Sequence, residues 1–127
     1  MRCNGDSSDF SSEKRAVHAY VQPVVHDKFE SYVSKIGFSS SSALLTLLIL
    51  REIQIERLAA IAEVALNNLP KGSKISAYVH SARAEQFRAR TATLGRSQSA
   101  CAAELVLREI EERWLESVLV AGRGAAQ

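Results

Sequence analysis

Cysteine, proline, tryptophan and methionine are scarce: two, two, one and one among 127 residues. Cys3 lies in a polar stretch and Cys101 in an apolar helical pattern, which excludes both a disulfide framework and a cysteine metal cluster. Long apolar runs are missing as well. The longest, Ala43 to Leu50, contains Thr46 and stops at Arg51-Glu52, less than half of the roughly 20 residues that a membrane span needs. Met1 to Ser12 has no apolar core of the secretory-signal kind and carries Asp6 and Asp9, so the expected location is the reducing cytoplasm. A large excess of charge of one sign is also lacking: the net is +2, which alone says little about partners.

What the chain does contain is a repetition. Displaced by 58 residues, Ala19-Tyr20-Val21 matches Ala77-Tyr78-Val79, Phe29 matches Phe87, Gly37 matches Gly95, Ser39 matches Ser97, Ser41 matches Ser99 and Leu47 matches Leu105. Displaced by 57, Leu50-Arg51-Glu52-Ile53 matches Leu107-Arg108-Glu109-Ile110, so the second copy lacks one residue in its last helix or in the turn before it. A unit of about 45 residues buries too little surface to stand alone, which implies a core shared by both copies. At 46% apolar and 24% charged residues, the composition is that of an ordinary globular protein.

In chain order, residues 1–13 read as a flexible tail, rich in Ser, Asp, Asn and Gly. Val17, Ala19 and Val21 then alternate with Ala16, His18, Tyr20 and Gln22, the pattern of a half-buried strand that Pro23 ends. Helical spacing follows through Val25, Phe29, Val33 and Ile36, and Gly37 supplies a left-handed stop. Ser39 to Ser42 offers several N-caps for a second helix that either continues to Leu66 or breaks near Gln54. Asn67 to Gly72 is the linker. The second copy repeats the order: a strand with Ile75, Ala77 and Val79 inward and Lys74, Ser76, Tyr78 and His80 outward, then a helix from about Ala82 to Leu94, stopped by Gly95. A last helix opened by Ser97 is expected to run through Leu107, Ile110, Trp114 and Val118, followed by a polar tail at 122–127.

Each single strand leaves its backbone edges unpaired, and its nearest equal is the strand of the other copy. The predicted fold is therefore mostly α with a two-stranded antiparallel β-ribbon. Residues 14–69 form the first unit, 70–121 the second, and 14–121 one shared-core domain. Charge is uneven along the chain. Lys71, Lys74, Arg83, Arg88, Arg90 and Arg96 face Glu85 alone between positions 71 and 96, while Glu109, Glu111, Glu112 and Glu116 crowd the last helix. A two-stranded ribbon is one of the elements that the DNA major groove admits.

In its alternating strand, helix, glycine turn and second helix, each copy resembles the ribbon-helix-helix unit of the Arc, MetJ and CopG-type DNA-binding proteins. The turns stand as Gly37-Phe38-Ser39-Ser40-Ser41 and Gly95-Arg96-Ser97-Gln98-Ser99. The resemblance covers about residues 14 to 58 and 72 to 116. Family members normally pair two chains, whereas this chain resembles a fused pair, an intramolecular pseudo-dimer similar to the TraY-type and T-DNA-transfer accessory proteins that assist a relaxase.

What the resemblance implies is sequence-selective binding of double-stranded DNA by a non-enzymatic accessory factor of the relaxosome. A plasmid-type transcriptional repressor is the alternative within that class, and a protein–protein interaction module or antitoxin the alternative outside it. Family antitoxins carry a long extension after the second helix, and about ten residues follow Ser117 here.

The base-reading positions implied are the outward strand residues His18, Tyr20, Lys74, Ser76 and Tyr78, with Ala16, Tyr20 and Tyr78 departing from the Arg, Lys, Asn, Gln or Thr usual at these places. Those implied for phosphate are Lys14, Arg15, Ser39, Ser41, Lys71, Arg96, Ser97 and Ser99, the serines lying at the second-helix N-termini, where free amides and the helix dipole favour an anion. No cofactor, metal or membrane partner is implied, and the expected solution state is a monomer that assembles cooperatively on DNA. His18, His26 and His80 lack close ligand spacing. Tyr20 and Tyr78 lack the His-x-His cluster of a relaxase nucleophile site. Phe29 and Trp114 read as core anchors and Cys101 as a small buried residue.

Overall fold

The computed structural model describes residues 13–58 and 72–126, with side chains to residue 121. Among them are two strands and five helices: β1 (Lys14–Val21), α1 (Pro23–Lys35), α2 (Ser41–Ile55), β2 (Ser73–His80), α3 (Ser81–Leu94), α4 (Gln98–Glu112) and α5 (Trp114–Ala126). Residues 1–12 of the tail expected at 1–13, and 67–71 of the linker, lie outside the described residues.

The strands pair with each other, antiparallel, from Lys14 opposite His80 to Val21 opposite Ser73. Strand side chains alternate between faces, so Val17, Ala19, Val21, Ile75, Ala77 and Val79 all point inward and are at most 5% exposed. Beneath them α2 packs mainly on β2 and α4 mainly on β1, and α2 and α4 also meet each other. The crossing places the side chains of both copies in one apolar cluster with the fully buried Phe29, Phe87, Leu44, Leu45, Ile49, Cys101 and Val106.

Helix ends repeat as well. After α1, Gly37 takes φ 78°, its amide bonds Ser34 and the Phe38 amide bonds the Val33 carbonyl at 3.0 Å. After α3, Gly95 takes φ 71°, its amide bonds Ala92 and the Arg96 amide bonds Thr91 at 3.0 Å. Both are glycine-dependent left-handed closures that satisfy the last carbonyls of the helix. The next helices begin at Ser40 and Ser97, whose hydroxyls accept from the Ala43 and Ala100 amides, each at 3.0 Å. From glycine to cap is three residues in the first copy and two in the second, so the residue missing from the second copy belongs to the turn, not to the helix.

The second helices are shorter than the apolar pattern suggests. α2 ends at Ile55 and α4 at Glu112, each followed by a non-glycine left-handed residue, Glu56 at φ 51° and Arg113 at φ 53°. The first break agrees with the alternative near Gln54. The second corrects the expectation of one helix from Ser97 through Trp114 and Val118: the chain turns at Arg113 and α5 starts afresh. α5 also continues to Ala126, into the stretch expected as a polar tail.

A buried carboxylate holds each turn. Glu52, 2% exposed, accepts the amides of Arg57 at 3.0 Å and Leu58 at 2.9 Å. Glu109, 1% exposed, accepts the Leu115 amide at 2.8 Å. A left-handed non-glycine residue costs roughly 1–2 kcal/mol, and charge-assisted bonds to otherwise orphaned amides offset it. The other copy closes each site: Arg90 reaches Glu52 at 3.3 Å and the Leu58 carbonyl at 2.7 Å, and the Tyr32 hydroxyl donates to Glu109 at 2.5 Å. Trp114 is half-buried, with the Arg51 guanidinium 4.1 Å from its ring centre.

Candidate nucleic-acid interface

The face of the ribbon turned away from the helices carries Lys14, Ala16, His18 and Tyr20 from β1, and Lys74, Ser76, Tyr78 and His80 from β2. Register sorts them into four facing pairs: Lys14 with His80, Ala16 with Tyr78, His18 with Ser76, and Tyr20 with Lys74. No carboxylate occurs in either strand. The cations and hydrogen-bond donors of this face are therefore not neutralised from within the ribbon. Tyr78 is 55% exposed, so its ring and hydroxyl are accessible on this face.

His18 and Ser76 hydrogen-bond across the strands at 2.8 Å, the ring nitrogen donating or accepting according to its tautomer. The His18 and Tyr20 rings are 6.3 Å apart and tilted. Together these contacts fix the middle of the face. The ribbon continues one bond past its end, where the Ser81 amide donates to the Glu13 carbonyl at 3.1 Å. Arg15, at the strand's solvent end, lies 3.5 Å from Glu85, and both are about half exposed. Such a pair contributes little to stability and opens readily to a competing anion.

The five residues expected to face bases thus share one surface, and Lys14 joins them. His80 also belongs to that surface. It continues the alternation two residues beyond Tyr78, which was the available signal.

The positions expected to meet phosphate are dispersed. Arg96 is placed differently from expectation: its side chain is 3% exposed and bonds Glu104 at 2.5 Å, so this cation is committed within the fold. Glu104 also receives Arg108 at 3.0 Å. Ser39 lies in the turn ahead of α2 and the cap is its neighbour Ser40. Ser41 donates to the Glu30 carboxylate at 2.8 Å, and this bond, with one from His26, holds the Glu30 carboxyl below its ordinary range. A negative charge therefore stands beside the α2 N-terminus and disfavours a phosphate there. At the α4 N-terminus Ser97 is the cap and Ser99 is half-buried in the first turn, which has no acidic residue. Lys71 lies outside the described residues.

Other chemistry is sparse. Among the described residues, no group of His, Cys, Asp or Glu is arranged to hold a metal ion, and no helix is long and apolar enough to cross a membrane. Burial pushes the Cys101 thiol up, which keeps it protonated and unreactive. Comparison with family models, with curated proteins and with solved structures returned no match for this chain.

Proposed function

We propose that the chain is a sequence-selective double-stranded DNA-binding protein whose β-ribbon enters the major groove. In this reading the two copies act as ribbon-helix-helix units of one intramolecular pseudo-dimer. The observation that carries it is the outer ribbon face, where two lysines, two histidines, two tyrosines and a serine stand without a carboxylate on a rigidly backed pair of strands. A ribbon of this width fits the major groove, and lysine, serine and tyrosine donate to base-edge acceptors there. Lys14 and Arg15 at the ribbon margin supply backbone attraction.

Within this class, a role as an accessory factor in conjugative or T-DNA-type transfer, beside a relaxase, rests on resemblance to other single-chain double units. Repression of a plasmid-type operon is the other use of the same interface.

Selection from a random duplex pool at near-physiological salt tests the reading, because non-specific phosphate binding is weak under those conditions. An enriched site is expected, with Tyr78→Ala weakening that site more than random DNA. A folded protein that enriches no site is evidence against the assignment and favours the protein-interaction alternative.

A further inference from the structure

The ribbon register gives the difference between the two strands a centre and two sides. Residues 58 apart are equivalent between the copies, so His18 corresponds to Ser76, and these two also face each other across the sheet. The His18–Ser76 pair is thus the centre of the reading face. On one side of it stand Tyr20 and Lys74, and on the other Tyr78 and Ala16, followed by Lys14 and His80. The tyrosines correspond to each other. Lys74 corresponds to Ala16, so the inner cation exists on one side only.

The strand rise fixes how far each lysine lies from the centre. At about 3.4 Å per residue, Lys74 is two residues, or about 7 Å, from the central pair, and Lys14 is four residues, or about 14 Å, away on the opposite side. Ala16 offers a methyl group where Lys74 offers an ammonium. An ammonium matches the O6 and N7 acceptors of guanine, and a small apolar side chain matches the thymine methyl.

Resting on the DNA-binding reading, we propose that the protein binds its site in a single orientation, set by the Lys74/Ala16 inequality. The half-site under Lys74 carries a guanine close to the centre of the site, and the half-site under Ala16 carries a thymine at the corresponding step. The site is accordingly directional, and so is whatever assembles on it.

The test is random-duplex selection with the full chain, with Lys74→Ala, and with the exchanged variant Ala16→Lys/Lys74→Ala. Both positions are exposed, and circular dichroism checks that the variants remain folded. The parent is expected to enrich a non-palindromic site. Lys74→Ala should lose about tenfold of preference at one guanine, within the range of a single base contact, and leave the other half-site unchanged. The exchanged variant should move that guanine to the opposite half.

A palindromic site, or an unchanged base preference in Lys74→Ala, overturns the orientation proposal and leaves DNA binding standing. No enrichment by the folded parent overturns both.

Discussion

Glu52 and Glu109 are charged residues at core positions, and each is supplied with donors from both copies. The Tyr32 hydroxyl donates to Glu109 and accepts from the Glu116 amide at 3.2 Å, so Tyr32→Phe removes two bonds at once. A loss of about 1.5–3 kcal/mol is expected in urea unfolding, the range for hydrogen bonds to charged partners. Glu52→Ala should cost more, about 3–5 kcal/mol, because Arg90, 15% exposed, loses its carboxylate.

The pH dependence follows from the same pair. Burial, and then the bond to Glu109, raise the Tyr32 pKa above its ordinary value of 10.0. The folded chain therefore retains a proton that the unfolded chain releases. The stabilisation is complete below pH 10 and declines as pH rises from there toward the folded value. Stability curves of the parent and Tyr32→Phe should converge above pH 10, and parallel curves would refute the assignment. The sequence names Glu52, Glu109 and Arg90 only as a repeat match and as surface charge, and it assigns none of them, nor Tyr32, this buried role. A carboxylate at an apolar position and a tyrosine beside Val33 become informative only when the other copy is seen to supply the partner.

At the level of elements, the sequence was legible wherever a residue type enforces its own geometry. Alternation marked both strands, and Gly37 and Gly95 marked two helix ends because positive φ suits glycine. It was not legible at Glu56 and Arg113, where the left-handed residue is ordinary and the cause lies several positions earlier in a buried carboxylate. The available hint was the Leu-Arg-Glu-Ile match at a displacement of 57, which sets the same glutamate before each break.

Two kinds of glycine substitution should differ. A Cβ at Gly95 meets nothing within 4 Å, so Gly95→Ala is expected to cost only backbone strain, about 1 kcal/mol or slightly more. A Cβ at Gly72 would stand 2.3 Å from the Val21 carbonyl oxygen, a backbone atom at the end of the ribbon. Gly72→Ala should therefore displace the strand end, and weakened amide-exchange protection at Val21 and Ser73, absent in Gly95→Ala, is the measurement that separates the two.

For the whole molecule, the decisive arrangement is the crossing of each second helix onto the strand of the other copy. Neither copy retains a covered strand when the other is removed. Fragments 1–71 and 72–127 are expected to be largely unfolded alone and to recover helical ellipticity on mixing, with a concentration dependence that the intact chain lacks. Independent folding of either fragment would contradict a shared core. Light scattering of the intact chain at micromolar concentration should give the monomer mass, since both strands of the sheet belong to one molecule. The antiparallel ribbon was legible as a consequence of duplication, because two lone strands of the same pattern have few other ways to pair their backbone edges. The positions expected to meet phosphate were less so: the commitment of Arg96 to Glu104 and the approach of Glu30 to Ser41 depend on tertiary neighbours.

That both strands come from a single chain also changes what mutation can do. In a protein assembled from two identical chains, every altered codon is expressed twice, and both edges of the sheet change together. Here a change in β1 leaves β2 untouched, so equivalent places such as Ala16 and Lys74 can carry different side chains.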